Sequence, residues 1–240
     1  MKTTQLLLPL VISTLGFFAL PTTADAFTLR FVDHDHDFNA LNPNLAFVAE
    51  GRIGNNALNG THELNFHGIN PLNETATSGE ANFVWTNGQA TDFSLTYDAV
   101  TRNITYAVGN VLLQSTANQT PVTDIFVRTR ATMAGTNMLI SNLFLNGKAV
   151  NQQVGVTGGG SWESGMEYLR ISGFGDSFTL TGQSTMTWGQ TRPNNSHLAY
   201  QIKVGTADGA VEVPEPMTMT GLLVGAGGLM AARRRRRSSH

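Results

Sequence analysis

The sequence contains no cysteine. That absence excludes thiol catalysis, Cys-ligated zinc and dithiol redox chemistry. It also means the fold must hold without disulfides, which a body of roughly 185 residues can do by burying apolar surface. Charge is scarce as well, at 13% of residues. Between residues 27 and 210, nine Lys and Arg stand against fourteen Asp and Glu, a net of about −5. Five arginines near the C-terminus bring the whole chain to −2. An acidic body does not suit nucleic acid, which needs clustered positive charge facing phosphates. The sequence lacks a Gly-x-Ser-x-Gly nucleophile elbow, a His-Glu-x-x-His pair and a phosphate-cradling Gly-rich motif before a helix. Between its two ends no stretch has the periodicity of a long amphipathic helix.

What remains is strongly β. Short runs rich in β-branched and aromatic residues recur from Phe27–Val32 through Leu45–Ala49, Ala81–Trp85, Phe93–Tyr97, Ile104–Val108 and Val111–Leu113. They continue at Ile125–Thr129, Met138–Leu145, Tyr168–Ile171, Phe178–Trp188 and Leu198–Val204. Phe93-Ser94-Leu95-Thr96-Tyr97 and Phe178-Thr179-Leu180-Thr181 alternate with the period of half-buried strands. Asn87-Gly88 and Asn146-Gly147 are turn dipeptides, the second joining Leu143–Leu145 to Ala149-Val150. Residues 155–165, with Gly158-Gly159-Gly160 and Trp162, read as a loop. The expected fold class is all-β: an antiparallel β-sandwich, of which a jelly roll is one form.

The two ends differ from this body. Lys2, the apolar run Leu6–Leu20 interrupted by Pro9, and Ala24-Asp25-Ala26 have the layout of a secretory signal peptide cut after Ala26. At the other end Val213-Pro214-Glu215-Pro216 is followed by sixteen uncharged residues, Met217 to Ala232, and then by Arg233, Arg234, Arg235, Arg236 and Arg237. The prolines keep the Pro-Glu-Pro backbone extended and unpaired. Sixteen helical residues span roughly 24 Å against a hydrocarbon core of about 30 Å, so the segment is a marginal span. Each arginine costs about 2.5–3.5 kcal/mol at the bilayer centre, so the cluster acts as a stop that stays cytoplasmic.

This tail resembles the PEP-CTERM sorting signal of exported bacterial proteins, in its Pro-Glu-Pro motif, Gly-rich apolar segment and terminal arginine cluster. The resemblance implies processing by exosortase, a membrane enzyme of Gram-negative bacteria, after export through the Sec machinery. It further implies a transient hold in the inner membrane, with the N-terminal side outside and the C-terminus in the cytoplasm. It places the cutting chemistry in the partner, with Pro214, Glu215 and Pro216 as the recognised motif. Residues 83–188 resemble the choice-of-anchor β modules of exported bacterial proteins, in Trp85, Phe93–Asp98 and Ile104–Gly109. The expected organisation is a signal peptide at 1–26, an exported β domain at 27–212 and a sorting segment at 213–238. A signal helix and a short C-terminal transmembrane helix flank the sandwich.

Within the body, Asp33-His34-Asp35-His36-Asp37 is the sharpest polar cluster. On a strand Asp33, Asp35 and Asp37 share one face; in a loop they would converge on Ca²⁺ through hard oxygen ligands. His with carboxylate would also suit a transition metal. The bland alternative is a solvated loop. His62-Glu63 and His67 read as strand or turn surface. Trp162 with Glu163 and Glu167 would form a sugar-stacking platform with two acids, the residue types of glycoside hydrolysis, or a loop with exposed acids. Trp85 and Trp188 read as core. Three functions stay open: a non-enzymatic structural or adhesive module of the cell envelope or extracellular matrix, in a polysaccharide or biofilm setting; a carbohydrate-binding module or carbohydrate-active enzyme; and a Ca²⁺-stabilised adhesin.

Overall fold

The computed structural model describes residues 27–56, 58, 62–69, 75–159 and 165–209. In chain order these form β1 (Thr28–Asp33), α1 (His34–Ala40), β2 (Asn44–Arg52), β3 (Leu64–Ile69), β4 (Thr75–Ala81), β5 (Ala90–Tyr97), β6 (Asn103–Val108) and β7 (Val111–Thr116). Then come β8 (Asp124–Ala131), β9 (Asn137–Leu145), β10 (Lys148–Ala149), β11 (Val154–Thr157), β12 (Met166–Ser172), β13 (Phe178–Thr187) and β14 (Leu198–Thr206). Two antiparallel sheets result. The first runs β1-β12-β8-β14-β2-β3-β4 and the second β10-β9-β13-β5-β6-β7, with β11 also on β9. The chain is an all-β sandwich.

Alternation sends every second side chain of each strand into the space between the sheets. Leu95, Tyr106, Ile140 and Leu180 from the second sheet meet Phe47, Val127, Leu169 and Ile202 from the first in one buried cluster. At its centre the hydroxyls of Tyr106 and Tyr200 lie 2.8 Å apart, so the two phenols satisfy each other across the core. Trp85 is buried and donates Nε1–H to the Arg52 carbonyl at 2.9 Å. Trp188 is half-buried against the same core and clasped by Asn87, whose amide bonds both Trp188 backbone groups. Asn146-Gly147 makes the tight β9–β10 turn with both residues at positive φ, 51° and 77°.

Several expectations need correction. The stretch Ala81–Trp85 leaves β4 at Ala81 and continues without pairing, because Phe83 and Trp85 pack onto the core instead, with ring centroids 4.6 Å apart. Residues 155–157, expected in a loop, belong to β11 and pair with β9. Gly155 permits this, since a Cβ there would come within 2.8 Å of the Met138 carbonyl oxygen. Residues 33–37 are neither a continuous strand nor a loop: Asp33 ends β1, and the two-turn α1 begins at His34. Its cause is Phe38, which is buried with its ring stacked on Tyr168 (4.8 Å) and edge-on to Phe126 (5.0 Å) on the outer side of the first sheet.

Register fixes where the chain enters and leaves. Thr28 pairs with Ser172, Ser172 with Asp124, and Asp124 with Gly205. The start of β1 and the end of β14 therefore lie at one end of the first sheet, three strand spacings or about 14 Å apart. No helix among the described residues is long and apolar enough to cross a membrane. The segment expected to do so lies outside them.

Candidate functional site

Alternation along β8, β12 and β14 gives the first sheet a second, outward row of side chains, and that row is charged. Arg128 of β8 donates Nε–H to Asp35 Oδ1 and Nη2–H to Asp35 Oδ2, both at 3.0 Å, a two-pronged pair. Tyr168 of β12 donates its hydroxyl to the same Asp35 Oδ1. Burial works to raise the Asp35 carboxyl, but the Tyr168 and Arg128 hydrogen bonds and the Arg128 charge together hold it below the ordinary value. Lys203 of β14 sets its Nζ 4.6 Å from the centroid of Phe38 and 5.8 Å from that of Tyr168. Burial first, and then repulsion from Arg128, pull the Lys203 ammonium down to about 8, against the attraction of Asp35 and Glu50.

That depression has a consequence for stability. A base whose folded value lies below its unfolded value binds fewer protons when folded, so stability rises with pH across the interval between them. Here the interval runs from about 8 to 10.5. The melting temperature is expected to climb between pH about 8 and 10.5, and Lys203→Met is expected to flatten that climb. Thermal melts at three pH values check it; parallel curves for the two proteins would remove Lys203 from the account.

Of the predicted cluster, Asp35 thus faces the sheet, while Asp33 and Asp37 are exposed. Among the described residues no group of three or more His, Asp or Glu side chains is arranged to hold a metal ion. Glu63, expected at the surface, is fully buried; it accepts the Asn56 backbone N–H at 2.9 Å and pairs with Arg192 at 3.7 Å. His62 meets Glu80 at 3.1 Å, and His67 is half-buried. Glu167 accepts the Gly155 N–H at 3.0 Å. Trp162 and Glu163 lie outside the described residues, as do Ala24, Ala26, Pro214, Glu215, Pro216 and Arg233 to Arg237.

Sequence reasoning missed Arg170, the largest fully buried side chain. Its Nε donates to Asp124 Oδ1 at 2.8 Å. Its terminal nitrogens donate to the carbonyls of Ala207 (3.2 Å), Asp208 (3.2 Å) and Gly209 (2.9 Å). Asp124 in turn accepts the Ala207 N–H at 3.2 Å. This buried pair grips the chain where it leaves β14. The clue in the sequence was alternation: in Tyr168-Leu169-Arg170-Ile171 the arginine shares a face with Tyr168, the face that α1 covers. No protein-family model matches the chain, and no curated protein matches it either.

Proposed function

We propose that this chain is an exported protein of the cell envelope or extracellular matrix, released or transferred by exosortase. Its sandwich is a structural or adhesive module, and the cutting chemistry belongs to the partner. The observation that supports the reading best is the shared exit: the first strand and the last strand open onto the same end of one sheet. A body that leaves the export channel from its N-terminal end and is then held by its tail fits that geometry, with both ends toward the membrane and its far loops facing away. The flanking segments fit closely. Cleavage after Ala26 leaves Phe27, one residue ahead of β1. Met217 lies eight residues beyond Gly209, a reach of at most about 28 Å. The Arg170–Asp124 grip keeps that reach from growing by unpeeling β14.

In this reading residues 217–232 form the short transmembrane helix, the arginines hold it, and Pro214-Glu215-Pro216 offers an extended backbone with one carboxylate to the enzyme. A jelly roll is the sandwich form proposed for the body. Glu215→Ala is expected to leave the protein uncleaved in the inner membrane, with wild type processed. Membrane fractionation with immunoblotting reads this directly, and normal processing of the variant would take the motif out of the mechanism.

A further inference from the structure

The outer face of the second sheet differs from that of the first. Pairing aligns Phe144 of β9 with Thr181 of β13, Thr181 with Ser94 of β5, and Ser94 with Ala107 of β6. Phe144 is 42% exposed at one end of this row, and the other three side chains are small. A second row lies beside it, one pleat along. Asn142 Nδ2 donates to Gln183 Oε1 at 2.6 Å, and Gln183 Nε2 donates to Asp92 Oδ1 at 2.9 Å. The relay crosses three strands. It exists because the β9–β13 register shifts between Thr181 and Gln183, and because Asn142 takes a left-handed backbone, φ 50°. A bulge of this kind re-aims a side chain that regular pleating would point elsewhere.

The two rows line a groove of about 450 Å³. A second groove, about 350 Å³, lies on the other side of the same two residues and is lined by Asn151, Gln152 and Gln153. Phe144 and Asn142 are common to both, so an exposed aromatic ring stands as a ridge between two troughs whose walls are largely apolar and carry amides and hydroxyls at a few points. Among the described residues lining the grooves, Asp92 is the single ionisable group, and Gln183 already occupies one of its oxygens.

Charge and chemistry select the occupant. A groove whose described lining holds no cation offers nothing to a polyanion. Protein interfaces concentrate aromatic residues, Met and Arg and are depleted in Ser; the groove beside Phe144 carries Thr181, Ser94, Asn142 and Gln183 instead, and the exposed Leu112 lies at the far end of the row, beyond Ala107. Amides and hydroxyls both donate and accept, as the hydroxyls of a sugar do, and the amide groups carry more hydrogens than their relay consumes. The aromatic ring gives apolar contact on both of its flanks, which suits successive units of a polymer.

We propose that this face binds a neutral polysaccharide, with consecutive sugar rings packed against either side of Phe144 and their hydroxyls bonded to the Asn142–Gln183–Asp92 relay. The inference gives the adhesive module its partner class. It concerns the folded body alone, so its failure leaves the Glu215→Ala result standing, and the reverse. The test is native electrophoresis of the full chain through gels containing laminarin, galactomannan or xyloglucan, with sedimentation to check for self-association. Retardation by at least one of these polymers is expected. Phe144→Ala is expected to weaken it by about tenfold, and Asn142→Gly, which keeps the left-handed backbone, by severalfold. Val100→Ala, on a distant exposed turn, should match wild type. No retardation in any of the three, with or without a dimer, overturns the proposal. So does retardation that Phe144→Ala and Asn142→Gly leave unchanged.

Discussion

Arg170→Met is expected to destabilise the body by about 3–5 kcal/mol, because it strips a buried carboxylate of its cation. Asp124 is 2% exposed, and among the described residues its side chain keeps the Thr123 hydroxyl (2.7 Å) and the Ala207 N–H once the guanidinium is gone. Three carbonyls at the end of β14 also lose their donor. At about 2–4 °C per kcal/mol for a domain of this size, the melting temperature should fall by about 10 °C. The double variant Arg170→Met with Asp124→Asn separates the causes. It should recover part of the loss if the orphaned charge dominates, and nothing if the carbonyl contacts do. A single variant that melts within 2 °C of wild type would mean the pair is not holding the chain exit.

Gly51→Ala is expected to overpack the core around the Tyr106–Tyr200 pair. A Cβ at Gly51 would lie 2.4 Å from Tyr200 Cε1 and 2.6 Å from Cζ. The ring has no room to move. It is fully buried, bonded to Tyr106, and packed between Trp85 and Phe93 at 6.2 and 5.6 Å. Overpacking costs about 1–3 kcal/mol, and losing the phenol pair adds about 1. A loss of about 3 kcal/mol in urea unfolding is expected. Tyr200→Leu should relieve it, so that the double variant is more stable than the two single losses summed. Simple additivity would show that the glycine is tolerated for a different reason.

The strands that alternate cleanly were legible in the sequence, because period-2 burial is written into Phe93–Tyr97 and Phe178–Thr181. β4 was not legible: its sequence, Thr-Ala-Thr-Ser-Gly-Glu-Ala, has no apolar face to read. β11 hid behind its glycine. Pairing partners were beyond local reasoning altogether, since β1 pairs with β12 more than 130 residues away. At 33–37 the run of charges carries no sign of the local structure, which the burial of Phe38 sets and which turns Asp35 toward Arg128. The polar relay on the second sheet was invisible for another reason. Asn142 sits inside an apolar run, and only a left-handed backbone in mid-strand brings its amide beside Gln183. The proposed export and sorting segments lie outside the described residues and rest on the sequence and the resemblance of the tail to PEP-CTERM signals.

Their test is intact-mass measurement of the protein recovered from fractionated cells. The account predicts a species beginning at Phe27, ending near the Pro-Glu-Pro motif without Arg233 to Arg237, and found in the envelope or medium. A full-length chain of 240 residues, recovered uncut from the cytosol, would contradict it.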